Sequence, residues 1–308
     1  MGERRRVSSI ASAGVPGTAA QPSRVRRARG GMSALGLAPF TVYVVIFLAL
    51  PTVLAVASGL FDANGHLTWA NFSAFGDLVV LKTFWASIWL SLVTAAVGAV
   101  AGALVCYALV GLKATGSVRV IVNAAAGVLA QFGGVMLAFV FIATMGRNSL
   151  INQWLLGMGI NIYGSGMWLY DLPGLILPYI YFQIPLMIIT FMPAMEGLRP
   201  QWAEANFALG GTRLTFWTRI GLPVLAPPFA ASYLLLFANS FSAYATAAAL
   251  ASQGSQIVPL QIRAALTSET VLGRQNLAGA LAAGMIVVMI IVMTAYAAIQ
   301  RRAERWRS

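Results

Sequence analysis

The chain has 308 residues, 59% of them hydrophobic and only 9% charged, with a mean hydropathy of +0.80. A soluble domain carries roughly 25% charged residues, so the composition excludes that class and indicates a polytopic, all-α membrane protein. One cysteine, Cys106, and one histidine, His66, exclude an intramolecular disulfide and a zinc constellation; no metal or cofactor is expected.

Residues 1–33 are rich in Arg, Ser, Ala and Gly without apolar periodicity. They are expected to be a disordered basic segment near anionic headgroups. Six apolar runs then reach the roughly 20 residues a bilayer core requires. They are predicted at 34–60, 84–112, 120–145, 172–195, 224–250 and 276–299, and none contains Asp, Glu, Lys or Arg. A basic tail, 300–308, closes the chain. The run at 34–60 exceeds a signal-peptide core, so it reads as a retained span.

With six spans, one side receives 16 of the 20 Lys and Arg residues. The acids divide evenly, four to each side, so the whole excess of +12 lies on one face. That face is assigned to the cytoplasm, with both termini. The basic charge is therefore a topology signal, and no nucleic-acid partner is expected.

Between the fourth and fifth spans lies a polar cytoplasmic loop, 196–223. Pro200 suits a first helical turn, and Trp202, Ala205 and Leu209 share one helical face. Gly210-Gly211 is predicted to end that helix. Thr212 should cap a second, Arg213–Ile220, stopped by Gly221-Leu222-Pro223. Such a helix–turn–helix knuckle either docks on a partner or lies on the membrane with Trp202 and Trp217 as anchors.

The spacing of Glu204, Ala205, Gly210, Ile220, Leu222 and Pro223 resembles the E-A-A-x3-G-x9-I-x-L-P loop of type I bacterial ABC importer permeases. Asn206 stands where the family usually has a second alanine, and Gly211 where alanine is common. The resemblance extends over 35–299, including Leu67-Thr68-Trp69-Ala70-Asn71-Phe72 after the first span. It implies that the loop is a coupling helix set in a groove of a separate ATPase subunit. Glu204 would anchor the loop and Gly210 would set its bend. The other implied partners are a second permease subunit, more often a different chain, and an extracytoplasmic substrate-binding protein. The location implied is the bacterial inner membrane. No P-loop is present, so the chain is not expected to be an enzyme.

Neutral polar residues inside the spans are the candidates for a translocation pathway: Asn123, Gln131, Tyr179, Gln183, Asn239, Ser240, Ser242, Tyr244 and Thr246. Gln183 and Asn239 stand out because an unpaired amide is costly there. Small-residue runs (Ala95-Ala96-Val97-Gly98, Gly102, Gly279, Ala283) are expected at the contact with a second permease. The stretch 237–246 looks most like spermidine/putrescine permeases, which implies a polyamine substrate. Permeases for iron(III), thiamine, phosphonate or sulfate are the alternative. An ion-coupled secondary transporter is the rival class, and it usually needs an intramembrane charge.

Overall fold

The computed structural model describes residues 38–305 apart from 63, 114, 165, 167, 252–256 and 268–273. The basic segment expected at 1–33 lies outside the described residues, as does the end of the tail. The described residues are helical apart from connecting turns and one isolated bridge, Phe61 to Leu67. Six helical stretches are long and apolar enough to cross a membrane.

The first, α1, runs Ala38–Ser58. The chain divides into two compact units inside it, 1–51 and 52–308. A π-turn, Val45–Ala49, directly precedes Leu50-Pro51. Proline lacks an N–H and crowds the carbonyl four residues back. Widening the preceding turn by one residue relieves that conflict and lets the helix continue.

After α1 the Leu-Thr-Trp-Ala-Asn-Phe element forms a local clasp. The Asn71 amide donates to the carbonyls of Gly59 (3.0 Å) and Phe61 (2.8 Å). Asp62 accepts from the backbone N–H groups of Asn64 and His66. The His66 N–H is the main cause that holds the Asp62 carboxyl below its ordinary pKa. His66 is thus an exposed turn residue.

Asp77 caps α2 (Leu78–Val110), its carboxylate accepting from the Val79 N–H at 2.9 Å. At 33 residues, α2 is about 50 Å long, which exceeds the bilayer core. The cap moves its start six residues ahead of the expected 84 and places Lys82 inside the helix.

The third predicted span is two helices. The chain forms α3 (Ser117–Gln131), breaks at Phe132-Gly133, and resumes as α4 (Gly134–Met145). Gly134 sits at φ +71°, a conformation glycine adopts without a Cβ penalty. A short surface helix, α5 (Leu150–Gly157), follows, capped by Ser149.

Helix α6 (Ile176–Glu196) continues through Pro185 and Pro193. The knuckle contains α7 (Pro200–Ala208) and α8 (Arg213–Phe216). Helix α9 (Leu222–Ser242) ends where Ala243 turns extended, and α10 (Ala245–Leu250) completes the fifth predicted span as a separate piece. Then come α11 (Val258–Leu266) and α12 (Arg274–Arg305).

The core is α2 laid along α6, with α9 packed against both. Tyr179, Gln183 and Met187 of α6 are fully buried, as are Ala95 and Ala99 of α2. A Cβ at Gly98 would lie 2.5 Å from the Gln183 Cβ, and one at Gly102 would lie 2.5 Å from the Met187 Cβ. Gly279 of α12 is packed just as tightly against Ser58 and Gly59. Of the small residues expected at a second permease, Ala95, Gly98, Gly102 and Gly279 therefore serve contacts within this chain, whereas Ala96 and Val97 are exposed on it. The same physics of close backbone approach applies in both settings, so the sequence pattern did not distinguish them.

Candidate functional site

The knuckle is organised around a Schellman cap. Gly211 N–H donates to Asn206 O (2.8 Å) and Gly210 N–H to Phe207 O (3.0 Å), the paired bonds of that motif. Gly210 takes the left-handed position, φ +77°. Thr212 then caps α8, its hydroxyl accepting from the Thr215 N–H at 3.2 Å. The second helix does not stop at Gly221-Leu222-Pro223 as predicted. A π-turn, Trp217–Gly221, absorbs Pro223, as the π-turn in α1 absorbs Pro51. The helical path runs unbroken from Arg213 to Ser242.

Asn206 does what the sequence did not reveal. It is buried, and its Nδ2 donates to Thr212 O at 3.1 Å, tying α7 to the start of α8. A Cβ on residue 211 would fall 2.3 Å from Asn206 Oδ1. Asn206 and Gly211 are therefore a matched pair. The asparagine fills the space that an alanine at 211 would occupy, which explains both departures from the family pattern together. Gly211→Ala is expected to loosen the knuckle, since the Asn206 carboxamide must swing away from Thr212. The loss is about 1 kcal/mol, the worth of one hydrogen bond. In Asn206→Ala/Gly211→Ala the second substitution should cost less than it does alone. Hydrogen exchange at the 209–215 amides measures this; strict additivity would contradict the pairing.

The remaining motif residues face outward. Glu204 is exposed and has no hydrogen-bond or ion-pair partner within the described chain. Its carboxylate thus bonds no neighbouring backbone among the described residues. Leu209 is 89% exposed and Leu214 73%, a combination that water does not favour in a folded loop. Trp202, Ala205 and Leu209 line one side of a cleft of about 750 Å³, with Thr215, Arg219 and Ile220 opposite. Trp217 packs edge-on against Tyr107 of α2 with ring centroids 5.2 Å apart.

The pathway candidates separate into two groups. Gln183 is fully buried and donates to Leu236 O at 3.2 Å. The Ser240 hydroxyl is buried against that of Thr94 at 3.0 Å. Tyr179 donates to Ala243 O at 2.7 Å, and Thr246 to Gly134 O at 3.1 Å. These four stitch helices together. Asn123, Gln131, Asn239, Ser242 and Tyr244 are exposed on this chain. Ser242 is already bonded to Ala238 O of its own helix. Among the described residues no cluster of His, Cys, Asp and Glu could hold a metal.

No family model matches the chain. It is 22% identical over 233 residues to the spermidine/putrescine transport system permease protein PotC of Haemophilus influenzae, which covers 72% of this chain and 81% of that one. A stretch of 97 residues is 29% identical to the sulfate transport system permease protein CysT of Escherichia coli, 32% of this chain and 33% of CysT. The chain thus matches about a third of that relative's length. Among solved structures, it superposes on a chain of a bacterial ABC transporter for the acidic polysaccharide alginate with a TM-score of 0.67 at 15% identity, covering 89% of this chain and 96% of the other. A chain of the MetNI methionine ABC transporter in an inward-facing conformation gives 0.52 at 14% identity, covering 73% and 95%.

Proposed function

We propose that this chain, whose fold and detectable relatives are those of ABC importer permeases, is the membrane subunit of a binding-protein-dependent type I importer. Its knuckle is the surface on which a separate ATPase subunit docks. One observation carries the assignment: the capped knuckle bears exposed Leu209 and Leu214, together with an exposed Glu204 whose side chain has no partner among the described residues. Exposed apolar side chains accompanied by a charge suit a protein interface better than a solvated loop. Closure of the ATPases would drive the knuckle and switch which face of the membrane is open. A second permease would complete the pathway, with the exposed Asn239 and Tyr244 near its wall, and a binding protein would deliver the solute. The chain would lie in the inner membrane with both termini cytoplasmic.

For the solute, a polyamine is supported by the long alignment with PotC and by the 237–246 stretch. Sulfate is the second reading, supported by the shorter alignment with CysT.

Co-purification from membranes tests the assignment. The wild-type chain should bring down an ATPase and a second permease. Glu204→Arg should lose the ATPase but keep the permease, since reversing one interfacial charge costs several kcal/mol. A folded wild-type chain that captures no ATPase overturns the reading. The ligand of any captured binding protein identifies the solute.

A further inference from the structure

We propose that Arg119 and Glu196 are positioning residues of the transport cycle, a link that makes α3 move with the knuckle; the inference rests on the knuckle being the ATPase contact. Arg119 lies in the first turn of α3 and is 7% exposed. Its Nη2 donates to Oε1 of Glu196, forming an ion pair. A buried arginine is tolerated when it is paired, and losing the partner leaves an uncompensated charge. The pairing is therefore specific to this place.

Its position gives it leverage. Glu196 is the last residue of α6, and only Gly197, Leu198 and Arg199 separate it from α7. Any displacement of the knuckle root acts on Glu196 directly, and through it on Arg119. At the far end of α3 the chain breaks at Phe132-Gly133, and Gly134 O accepts from Thr246 of α10. Helix α10 follows α9, which leads back to the other side of the knuckle. The broken segment α3–α4 is thus tied at its beginning to α6, which leads into the knuckle, and at its break to α10, which follows the helix leading out of it. Glu196 holds its beginning, and the Thr246 bond holds its middle break.

Helix α3 packs chiefly on α6, and Asn123 and Gln131 are exposed on this chain. The two-residue break between α3 and α4 lets α3 tilt without carrying α4 along. A displacement of the knuckle would therefore re-aim the Asn123 and Gln131 amides.

The test uses the complete importer in proteoliposomes, with Arg119→Ala, Glu196→Ala and the exchange Arg119→Glu/Glu196→Arg. Each variant is checked for ATPase co-purification, and then solute moved per ATP hydrolysed is measured. Both single variants are expected to keep the ATPase and to lose at least about fivefold in that ratio, the low end of a coupling interaction. The exchange variant should recover most of it. Should either alanine variant fail to fold, Glu196→Gln decides, because it removes the charge yet leaves a carboxamide oxygen to accept from the buried Arg119. A wild-type ratio in single variants that still bind ATPase overturns the link and leaves the docking surface standing. A loss that the exchange does not repair also overturns it. Failure of the wild-type chain to bind any ATPase defeats the docking reading itself.

Discussion

Gly102→Leu is expected to leave little folded protein in the membrane. A Cβ at this position would stand 2.5 Å from the Met187 Cβ and 2.9 Å from the Ile184 carbonyl oxygen. The second of these is backbone and cannot rotate away. The helices α2 and α6 would have to separate, and their seam is the centre of the core: Met187 is wholly buried, with Ala95 and Ala99 further along the same face. Overpacking a closed site costs about 1–3 kcal/mol and sometimes more. This site lies at the upper end because the obstacle is main chain and the helix pair is the largest contact in the fold. Gly127→Ala is the matched control. It lies in α3, where a Cβ meets nothing within 4 Å, so the change should be neutral or gain up to about 1 kcal/mol from helix propensity. The yield of monodisperse protein and its thermal midpoint in detergent measure both. Equal behaviour of the two variants would falsify the packing argument.

The contrast between those two glycines shows what the sequence could express. Hydropathy reported six membrane crossings because length and apolar content are local properties. The knuckle was also legible: Pro200 at a helix start, Gly210 at a left-handed cap and Thr212 at a second start are each readable from residue type. The break between α3 and α4 was hidden, because Phe132-Gly133-Gly134 sits inside an apolar run and hydropathy ignores backbone direction. The break at Ala243-Tyr244 had no local signal at all. Neither residue is glycine or proline, and the turn is held by tertiary bonds, Tyr179 to Ala243 O and Thr246 to Gly134 O. Polar residues misled in a similar way. Gln183 and Asn239 carry the same cost of burial unpaired, yet one finds Leu236 O inside the chain and the other faces out. Residue type fixed the demand for a partner, and only the packing fixed who supplied it. Asn206 makes the same point at the knuckle. It stands where the family pattern has a small alanine, yet it is a buried tie that dictates glycine at 211.

Gly210→Val should abolish transport while sparing the membrane core. Residue 210 holds φ +77°, where an L-residue pays about 1–2 kcal/mol, and a β-branched side chain more. Nothing lies within 4 Å of its Cβ position, so the penalty is conformational rather than steric and stays local. The chain can relieve it only by giving up the Schellman cap. That releases the bonds from Gly211 N–H to Asn206 O and from Gly210 N–H to Phe207 O, and with them the angle between α7 and α8. A shift of about 2 kcal/mol depopulates the native knuckle roughly thirtyfold. Exposed Leu209 and Leu214 would then no longer meet a docking partner as one surface. The thermal midpoint should stay near that of the wild type, because the core seams of α2, α6 and α9 do not include residue 210. Gly210→Asn should retain much of the activity, since asparagine accepts the left-handed conformation better than other side-chain-bearing residues. Solute uptake together with ATPase co-purification reads the result. Full uptake by Gly210→Val would mean that the bend at 210 does not set the coupling geometry, and that the motif glycine serves some other need.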